Sequence, residues 1–262
     1  MSLAVDEYPN PHAPTLVLVH GFTQNARCWG ELPRRLQRHF RVLAVDVPGH
    51  GRTPAEHDRA DLAEAARLIG EVGGRARYLG YSMGGRMCLQ LACDRPDLVE
   101  ELVLVGATPG LVDAGARAAR RDADEGLAGD LLASGLPAFL DRWLALPLFA
   151  GLTAESAARE QRLQNRAEGL AWSLRRCGTG TQDPLWERLD RLTMPVLLLA
   201  GSEDAKFAAE ARAMLDRLTE PHLATLALVA GAGHTAHLEQ PAAFLEIVER
   251  WWATRERPGQ ST

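Results

Sequence analysis

Short apolar runs alternate along the chain with segments of helical periodicity. The apolar, β-rich runs lie at 15–19, 41–45, 77–80, 102–105, 195–199 and 223–229. The predicted helices lie around 25–38, 58–71, 82–94, 205–218 and 241–253. Because each strand is apolar almost throughout, we expect both of its faces to be buried. Strands of this kind separated by helices predict an α/β fold, with a mostly parallel central sheet flanked by helices.

The alternation stops between about 110 and 190. This stretch is rich in Ala, Arg, Leu and Glu, has helical periodicity, and contains no β-rich run. The simplest interpretation is a core in two parts, residues 1–109 and 191–262, with an all-helical lid, residues 110–190, inserted between core strands.

Composition and charge narrow the class of protein. Of the 262 residues, 46% are hydrophobic and 24% are charged, and the formal net charge is −5. This acidic balance lacks the basic footprint of a nucleic-acid-binding protein. No apolar run is long enough to span a bilayer, and the first residues do not resemble a signal peptide. The four cysteines have no metal-ligand or disulfide-framework spacing, which favours a reducing, cytoplasmic compartment.

A G-x-S-x-G pattern marks the candidate nucleophile. Gly80-Tyr81-Ser82-Met83-Gly84 lies where a predicted strand ends and a helix begins. A serine on such a sharp turn adopts strained backbone angles, and the flanking glycines leave room for it. The turn also directs the helix N-terminus at developing negative charge. A plain glycine-rich turn is the alternative, but the strand–turn–helix context favours a reactive Ser82.

A reactive serine requires a base, and the base requires an orienting acid. Asp204 follows one buried strand and His234 follows the last, so both are expected at the same edge of the sheet as Ser82. The order Ser, Asp, His is the one expected for this type of elbow. Glu203 and His237 are the neighbouring alternatives; we expect the first to point elsewhere and the second to pack near the last helix. Capping of the next helix is the structural alternative for the aspartate.

The loop after the strand at 15–19 supplies a further element, His20-Gly21-Phe22. In this arrangement that loop and the residue after the serine each donate a backbone N–H to an oxyanion hole. The candidate donors are therefore the N–H groups of Phe22 and Met83, although a simple turn is the alternative for the His-Gly pair. The Gly- and Pro-rich loop at 46–51 is expected to shape the rim without taking part in chemistry.

Together these motifs resemble the α/β-hydrolase superfamily across nearly the whole chain. They are H-G-F, D-x-P-G-H-G, G-x-S-x-G, G-x-x-D and G-x-G-H-x-x-H-x-E-x-P. Within it, several stretches resemble the 2-succinyl-6-hydroxy-2,4-cyclohexadiene-1-carboxylate synthases of menaquinone biosynthesis. These stretches are 80–86, 108–111, 146–149, 173–182 with 185–186, and 201–207. An ordinary esterase has no reason to share the motifs of the helical stretch.

The resemblance implies a set of site residues. Ser82, Asp204 and His234 occupy the triad positions. The positions that bind substrate in the family fall on Tyr81, Arg86, Arg120, Trp143, Arg162 and Lys206. Arg121 is the alternative to its neighbour Arg120. The resemblance implies no metal or cofactor, and the expected partner is a small anionic substrate; the sequence does not predict the oligomeric state.

The family's substrate carries three carboxylates, and arginine suits bidentate carboxylate binding. Most of the 28 arginines are expected to be solvated surface charges. Arg86, however, follows Ser82 by one helical turn and therefore lies on the same face of its helix. Lys206 is the only lysine in the chain and follows Asp204 by two residues. A site that requires a compact ammonium group explains that placement.

The function implied by the resemblance is that of a lyase. It would expel pyruvate from 2-succinyl-5-enolpyruvyl-6-hydroxy-3-cyclohexene-1-carboxylate by 2,5-elimination, with Ser82 as the base. Two alternatives stay open at this point: a serine esterase or enol-lactonase that forms an acyl-enzyme, and a non-catalytic small-molecule receptor. Pyruvate release without a covalent adduct distinguishes the lyase from the first, and any turnover excludes the second.

Overall fold

A computed structural model describes residues 2–55, 61–218 and 220–255. Seven strands of the described chain form one sheet in the order β1-β3-β2-β4-β5-β6-β7. They are β1 (Ala4–Tyr8), β2 (Thr15–Val19), β3 (Arg41–Asp46), β4 (Ala76–Tyr81), β5 (Val99–Val105), β6 (Val196–Gly201) and β7 (Ala224–Val229). Only β1 is antiparallel to its neighbour; the other pairs are parallel. The predicted α/β fold with a mostly parallel sheet is confirmed.

Ten α-helices accompany these strands in the described ranges. They are α1 (Leu32–Leu36), α2 (Leu62–Gly73), α3 (Met83–Asp94), α4 (Ala114–Ser134), α5 (Leu136–Leu144), α6 (Arg159–Arg162), α7 (Ala167–Cys177), α8 (Ala205–Leu215), α9 (Ala236–Glu239) and α10 (Pro241–Ala253). Short 3-10 helices occur at Ala26–Trp29, Pro96–Leu98, Pro147–Phe149, Trp186–Arg191 and Pro221–Leu223. No helix among the described residues has the length and apolar character needed to cross a membrane.

Three details differ from the sequence-based expectations. The edge strand β1 was not predicted, because its residues are mostly half-buried and do not form a continuous apolar run. The single helix expected around 25–38 is wrong: two short helices occur there, separated by Gly30, whose φ of 59° is not helical. The helix expected at 58–71 begins at Leu62, where the side chain of Asp61 caps it; residues 58–60 lie outside the described residues.

The sheet separates two hydrophobic clusters, as the apolar strands require. Side chains alternate between the faces of a strand, so Val17 and Val19 join the cluster under α2, α3 and α8. Leu16 and Leu18 face the opposite cluster, under α1 and α10. Burial on both faces explains why β2 and its neighbours are apolar throughout.

The segment between β5 and β6 is described throughout and contains helices but no strand. Apolar side chains of α4, α5 and α7 form a third hydrophobic cluster of their own. This segment packs closely on the loop at 46–51: a Cβ on Gly49 would lie 2.5 Å from the carbonyl oxygen of Gly169 in α7. The helices therefore cover the carboxyl ends of the parallel strands.

Candidate active site

Ser82 occupies the turn between β4 and α3 with φ 51° and ψ −110°, a conformation that non-glycine residues rarely adopt. The glycines of the motif allow the helix to pack tightly on the sheet. A Cβ on Gly80 would lie 2.5 Å from the carbonyl oxygen of Gly84, and a Cβ on Gly84 would lie 2.1 Å from that of Val19. The strained elbow expected from the motif is therefore present.

Three side chains from separate loops meet at this elbow. His234 Nε2 lies 3.1 Å from Ser82 Oγ, and His234 Nδ1 lies 2.7 Å from Asp204 Oδ2. Asp204 and His234 are both buried, with 8% and 4% of their surface exposed. Asp204 also accepts the N–H of Phe207 and so caps α8. Asp204 therefore contacts His234 and caps α8 at the same time, so the two arrangements that its sequence position allowed are both present.

The two neighbouring alternatives do not enter this arrangement. Glu203 is exposed. His237 is buried, and its ring packs 4.9 Å from that of Trp29 and 4.5 Å from that of Tyr81. Burial, together with the charges of His234 and Arg162, lowers the pKa of His237 to about 3. It is therefore a neutral packing residue at ordinary pH.

His20 holds the loop that carries Phe22. Its Nδ1 lies 2.8 Å from the carbonyl oxygen of Gly21, and its Nε2 accepts the N–H of Val47. Burial lowers the pKa of His20 to about 4, so the ring is neutral and Nδ1 carries the proton that the first contact needs. The loop after β2 is thereby tied to the loop after β3.

Phe22 and Met83 line the same cavity as Ser82. Met83 is the first residue of α3, and the first N–H groups of a helix have no acceptor within it. The N–H groups of Phe22 and Met83 therefore stay the predicted donors of the oxyanion hole.

One cavity of about 200 Å³ opens beside Ser82 and His234. Every site residue predicted from the sequence lines it, with the exception of Asp204, which lies behind His234. The predicted residues in its wall are Phe22, Tyr81, Ser82, Met83, Arg86, Arg120, Trp143, Arg162, Lys206 and His234. Among the described residues that line it, four are cationic and none is a carboxylate. The cavity is therefore suited to an anion.

Arg86 is 6% exposed, and its guanidinium is held by two neutral acceptors. Nη1 donates to Gln182 Oε1 at 2.9 Å, and Nη2 donates to the carbonyl oxygen of Cys177 at 2.8 Å. Burial lowers the pKa of Arg86 to about 10, which leaves it charged at neutral pH. Since neither partner is anionic, its positive charge stays available to a ligand.

Arg162 is 1% exposed and ties the helical segment to the loop that carries Phe22. Its Nε donates to the carbonyl oxygen of Ala157, and its Nη1 donates to Thr23 Oγ1. The buried Nη2 has no hydrogen-bond partner in the described chain. A buried guanidinium with an unused donor is costly, so a ligand carboxylate would satisfy it.

Arg120 also lines the cavity and pairs with Asp124, one turn further along α4, at 2.8 Å. Asp124 is buried, and burial raises its pKa despite the arginine. Arg121 instead donates to the carbonyl oxygen of Gly180. Of the two adjacent arginines, Arg120 is therefore the one that borders the cavity.

Lys206 and Trp143 complete the polar and aromatic wall. Lys206 is exposed, its Nζ lies 5.2 Å from the ring centroid of Phe207, and it forms no ion pair within the described chain. Trp143 packs edge-on against Phe22 at 5.3 Å, and its buried indole N–H has no acceptor among the described residues. Both side chains thus offer an unused donor beside the cavity.

Several supporting residues were not identified from the sequence. Gln182 orients Arg86, and it ends the 173–182 stretch that already resembled the family. Asp124 orients Arg120. The two residues lie four positions apart in a predicted helix, and this spacing could have indicated the ion pair. Asn165 donates to the carbonyl oxygen of Thr23 and accepts the N–H of Gly51, a contact between distant segments that no local pattern indicates.

Comparison with known proteins places these observations in a family. Residues 16–247 match the alpha/beta hydrolase family. A Salmonella agona relative named 2-succinyl-6-hydroxy-2,4-cyclohexadiene-1-carboxylate synthase is 34% identical over 248 residues, covering 90% of this chain and 92% of the relative. A Bacillus subtilis relative, provisionally given the same name, is 36% identical and covers 94% and 92%. The structure of MenH from S. aureus matches with a TM-score of 0.89 at 28% identity, covering 98% of this chain and 99% of that one.

Proposed function

The chain belongs to the alpha/beta hydrolase family and, within it, to the 2-succinyl-6-hydroxy-2,4-cyclohexadiene-1-carboxylate synthases, and we propose that it is a lyase of menaquinone biosynthesis. It eliminates pyruvate from 2-succinyl-5-enolpyruvyl-6-hydroxy-3-cyclohexene-1-carboxylate. The observation that carries this proposal is the charge of the cavity: four cations and, among the described lining residues, no carboxylate. The three carboxylates of this substrate complement the four cationic side chains, whereas a neutral ester has no charge for them to bind.

The reaction begins with removal of the proton on the ring carbon next to the succinyl ketone. Ser82 Oγ takes this proton while its own proton passes to His234 Nε2, 3.1 Å away. Asp204 accepts the Nδ1–H of the resulting imidazolium at 2.7 Å and stabilises its charge. The serine thus acts as a base and forms no bond to carbon.

The electrons of the broken C–H bond move onto the ketone oxygen. The N–H groups of Phe22 and Met83 donate to this oxygen, and loss of one such donor typically costs about 10²–10³ in rate. The enolate then collapses through the ring, the bond to the enolpyruvyl oxygen breaks, and the leaving pyruvate enolate takes the proton from His234. The proton balance closes without water.

The cations take the three carboxylates, with Arg86 on the elbow side of the cavity and Arg162 beside the oxyanion loop. Arg120 of α4, Trp143 of α5 and Lys206 of α8 complete the wall of the cavity. Residues 110–190 act in this proposal as a lid whose side chains complete the binding site. Closure over a bound substrate excludes water and strengthens these charge interactions.

A cytoplasmic location is part of the same proposal. The chain's four cysteines are unpaired and buried, which agrees with a reducing compartment.

The deciding experiment is a coupled assay that supplies the enolpyruvyl intermediate and follows pyruvate release with time. We expect catalytic pyruvate formation without a burst and without a covalent adduct on Ser82 by mass spectrometry. An acyl-enzyme adduct together with faster turnover of neutral aryl esters would favour a serine esterase and contradict the proposal. Absence of turnover with either substrate would favour a binding protein on the same fold.

A further inference from the structure

Glu239 ends α9 five residues after His234, and no step of the proposed reaction uses it. Its carboxylate accepts hydrogen bonds from the loop that carries the histidine. Oε2 accepts the N–H of Gly233 at 2.6 Å, and Oε1 accepts the N–H of Thr235 at 2.9 Å and its hydroxyl at 2.5 Å. Gly233 and Thr235 are the chain neighbours of His234. One carboxylate therefore holds the backbone on both sides of the imidazole.

The loop between β7 and α9 has a composition that needs such an anchor. It contains Gly231, with a φ of 66°, and Gly233. Glycines give a backbone more freedom than any other residue, yet His234 must meet Ser82 and Asp204 at the same time. A misplacement of about 1 Å in a catalytic group can cost about 10² in rate.

Capping of α9 accounts for only part of these contacts. A glutamate in the first turn of a helix commonly accepts the backbone N–H of the N-cap residue, and the bond to the Thr235 N–H fits that role. The bond to Gly233 does not, because this residue precedes both His234 and the helix. In the described chain the carboxylate makes its hydrogen bonds only to this loop.

The helical segment also touches this carboxylate. A Cβ on Gly151 would come within 2.0 Å of Glu239 Oε2, so the backbone there packs directly on the carboxylate. Gly151 follows the short helix Pro147–Phe149, and Phe149 lines the cavity. The position of the carboxylate is thus set from two sides.

From these contacts we infer that Glu239 is the positioning residue of the catalytic histidine: its carboxylate keeps His234 within hydrogen-bond distance of Ser82 and Asp204 together. The kinetic part of this inference rests on the proposed function. The geometric part holds for any reaction that uses the same histidine.

The kinetic test compares Glu239→Ala and Glu239→Gln with wild type. The alanine variant should lose about 10²-fold in kcat for pyruvate release. The glutamine variant should lose less of its kcat, because its amide oxygen still accepts a hydrogen bond from the loop. It should not reach the wild-type kcat, because its NH₂ group cannot accept the hydrogen bonds that the second carboxylate oxygen accepts. KM should stay within about twofold in both, since Glu239 does not line the cavity. Glu246→Gln, on the exposed face of α10, is the matched control and should behave as wild type.

A second measurement needs no substrate. The proton between His234 Nδ1 and Asp204 should give a far-downfield ¹H NMR resonance, identified by its loss in Asp204→Asn. This resonance should broaden or shift in Glu239→Ala and in Gly151→Ala, which pushes the carboxylate from the other side. Gly129→Ala is the control, because a Cβ there meets nothing within 4 Å.

Wild-type kcat and an unchanged resonance in folded Glu239→Ala would overturn the inference. A lowered melting temperature with wild-type kcat would assign Glu239 to helix capping alone and would overturn it equally. If Glu239→Ala does not fold, Glu239→Gln and Gly151→Ala decide through the same two measurements. If wild type releases no pyruvate, the proposed function fails, and the resonance still decides the role of Glu239.

Discussion

His234 Nε2 lies 3.1 Å from Ser82 Oγ, although 152 positions separate the two residues in the chain. Ser82 follows β4, whereas His234 follows the edge strand β7, three strands away in the sheet. Neighbouring strands lie about 4.8 Å apart, so the loop that follows β7 must extend about 14 Å across the sheet to bring His234 to Ser82. It passes over the end of β5, where a Cβ on Gly106 would lie 3.0 Å from His234 Cε1. The Ser–His pair thus exists only because this loop folds back across the sheet.

The first prediction concerns the triad. Ser82→Ala should abolish nearly all pyruvate release and leave the melting temperature close to wild type, because the hydroxyl does not support the core. Asp204→Asn keeps the shape but favours the wrong tautomer of His234, and the corresponding change in a serine protease costs about 10⁴ in kcat. Steady-state kinetics with melting curves check both variants. Near-wild-type turnover in folded Ser82→Ala would refute the assignment.

The second prediction concerns carboxylate binding by Arg86 and Lys206. A hydrogen bond to a charged group contributes about 1.5–3 kcal/mol. Alanine at either position should therefore lower kcat/KM about 10- to 150-fold for the trianionic substrate. Arg86→Lys should recover only part of this, since lysine lacks the planar fork. Hydrolysis of a neutral aryl ester is the control and should barely change; an equal response of both substrates would contradict the prediction.

The third prediction separates two adjacent arginines of α4. Arg120→Ala should lower kcat/KM by about tenfold or more, because Arg120 lines the cavity. Its loss also leaves the buried Asp124 carboxylate without its ion-pair partner, so the melting temperature should fall as well, although the Arg120 side chain itself is 41% exposed. Arg121→Ala is the matched control and should keep wild-type kinetics, since Arg121 binds the carbonyl oxygen of Gly180. The reverse result would assign substrate binding to Arg121.

The fourth prediction is a conflict between function and stability at Arg162. Its guanidinium is buried and, among the described residues, makes no contact with a carboxylate. A buried charge without an ionic partner carries a desolvation cost of several kcal/mol, which offsets the hydrogen bonds that Arg162 donates to Ala157 and Thr23. Arg162→Met should therefore change the free energy of unfolding little. The same change should sharply reduce kcat/KM. Urea unfolding and kinetics test both statements, with Arg159→Met, at a half-buried position outside the cavity, as the control. A destabilised, active Arg162→Met variant would show a purely structural role.

The fifth prediction is loss of stability in acid. Burial lowers the pKa of His20 to about 4 and that of His50 and His237 to about 3. A histidine in the unfolded chain titrates near pH 6.5, so between about pH 6.5 and pH 3 the unfolded state binds more protons. The free energy of unfolding should therefore decrease as the pH is lowered, by about 2 kcal/mol per buried histidine between pH 7 and pH 5.

Urea unfolding at the two pH values measures this dependence. His237→Phe should reduce the difference in the free energy of unfolding between pH 7 and pH 5 by about 2 kcal/mol, the contribution expected from one buried histidine. His222→Gln is the control, because that side chain is 71% exposed. An unaltered pH difference in His237→Phe would show that this residue is not the source.

The sequence alone determined the order of six of the seven strands and most of the helices of the core, as well as the candidate triad. Continuous apolar runs require strands buried on both faces, and parallel strands bring the loops after them to one edge. Ser82 was identifiable because its motif is local: the strand, the tight turn and the helix are consecutive in the chain. The resemblance to a family then indicated the cations, and all of them line one cavity.

Only the tertiary structure decided which groups hold these side chains in place. Gln182 meets Arg86 across 96 positions, and Thr23 meets Arg162 across 139. A local sequence pattern cannot predict such contacts, because they depend on how separate segments pack. The sequence already favoured His234 over His237, and the tertiary structure shows the physical reason. Three residues separate them, yet the fold of one loop directs the first ring to Ser82 and buries the second among aromatic side chains.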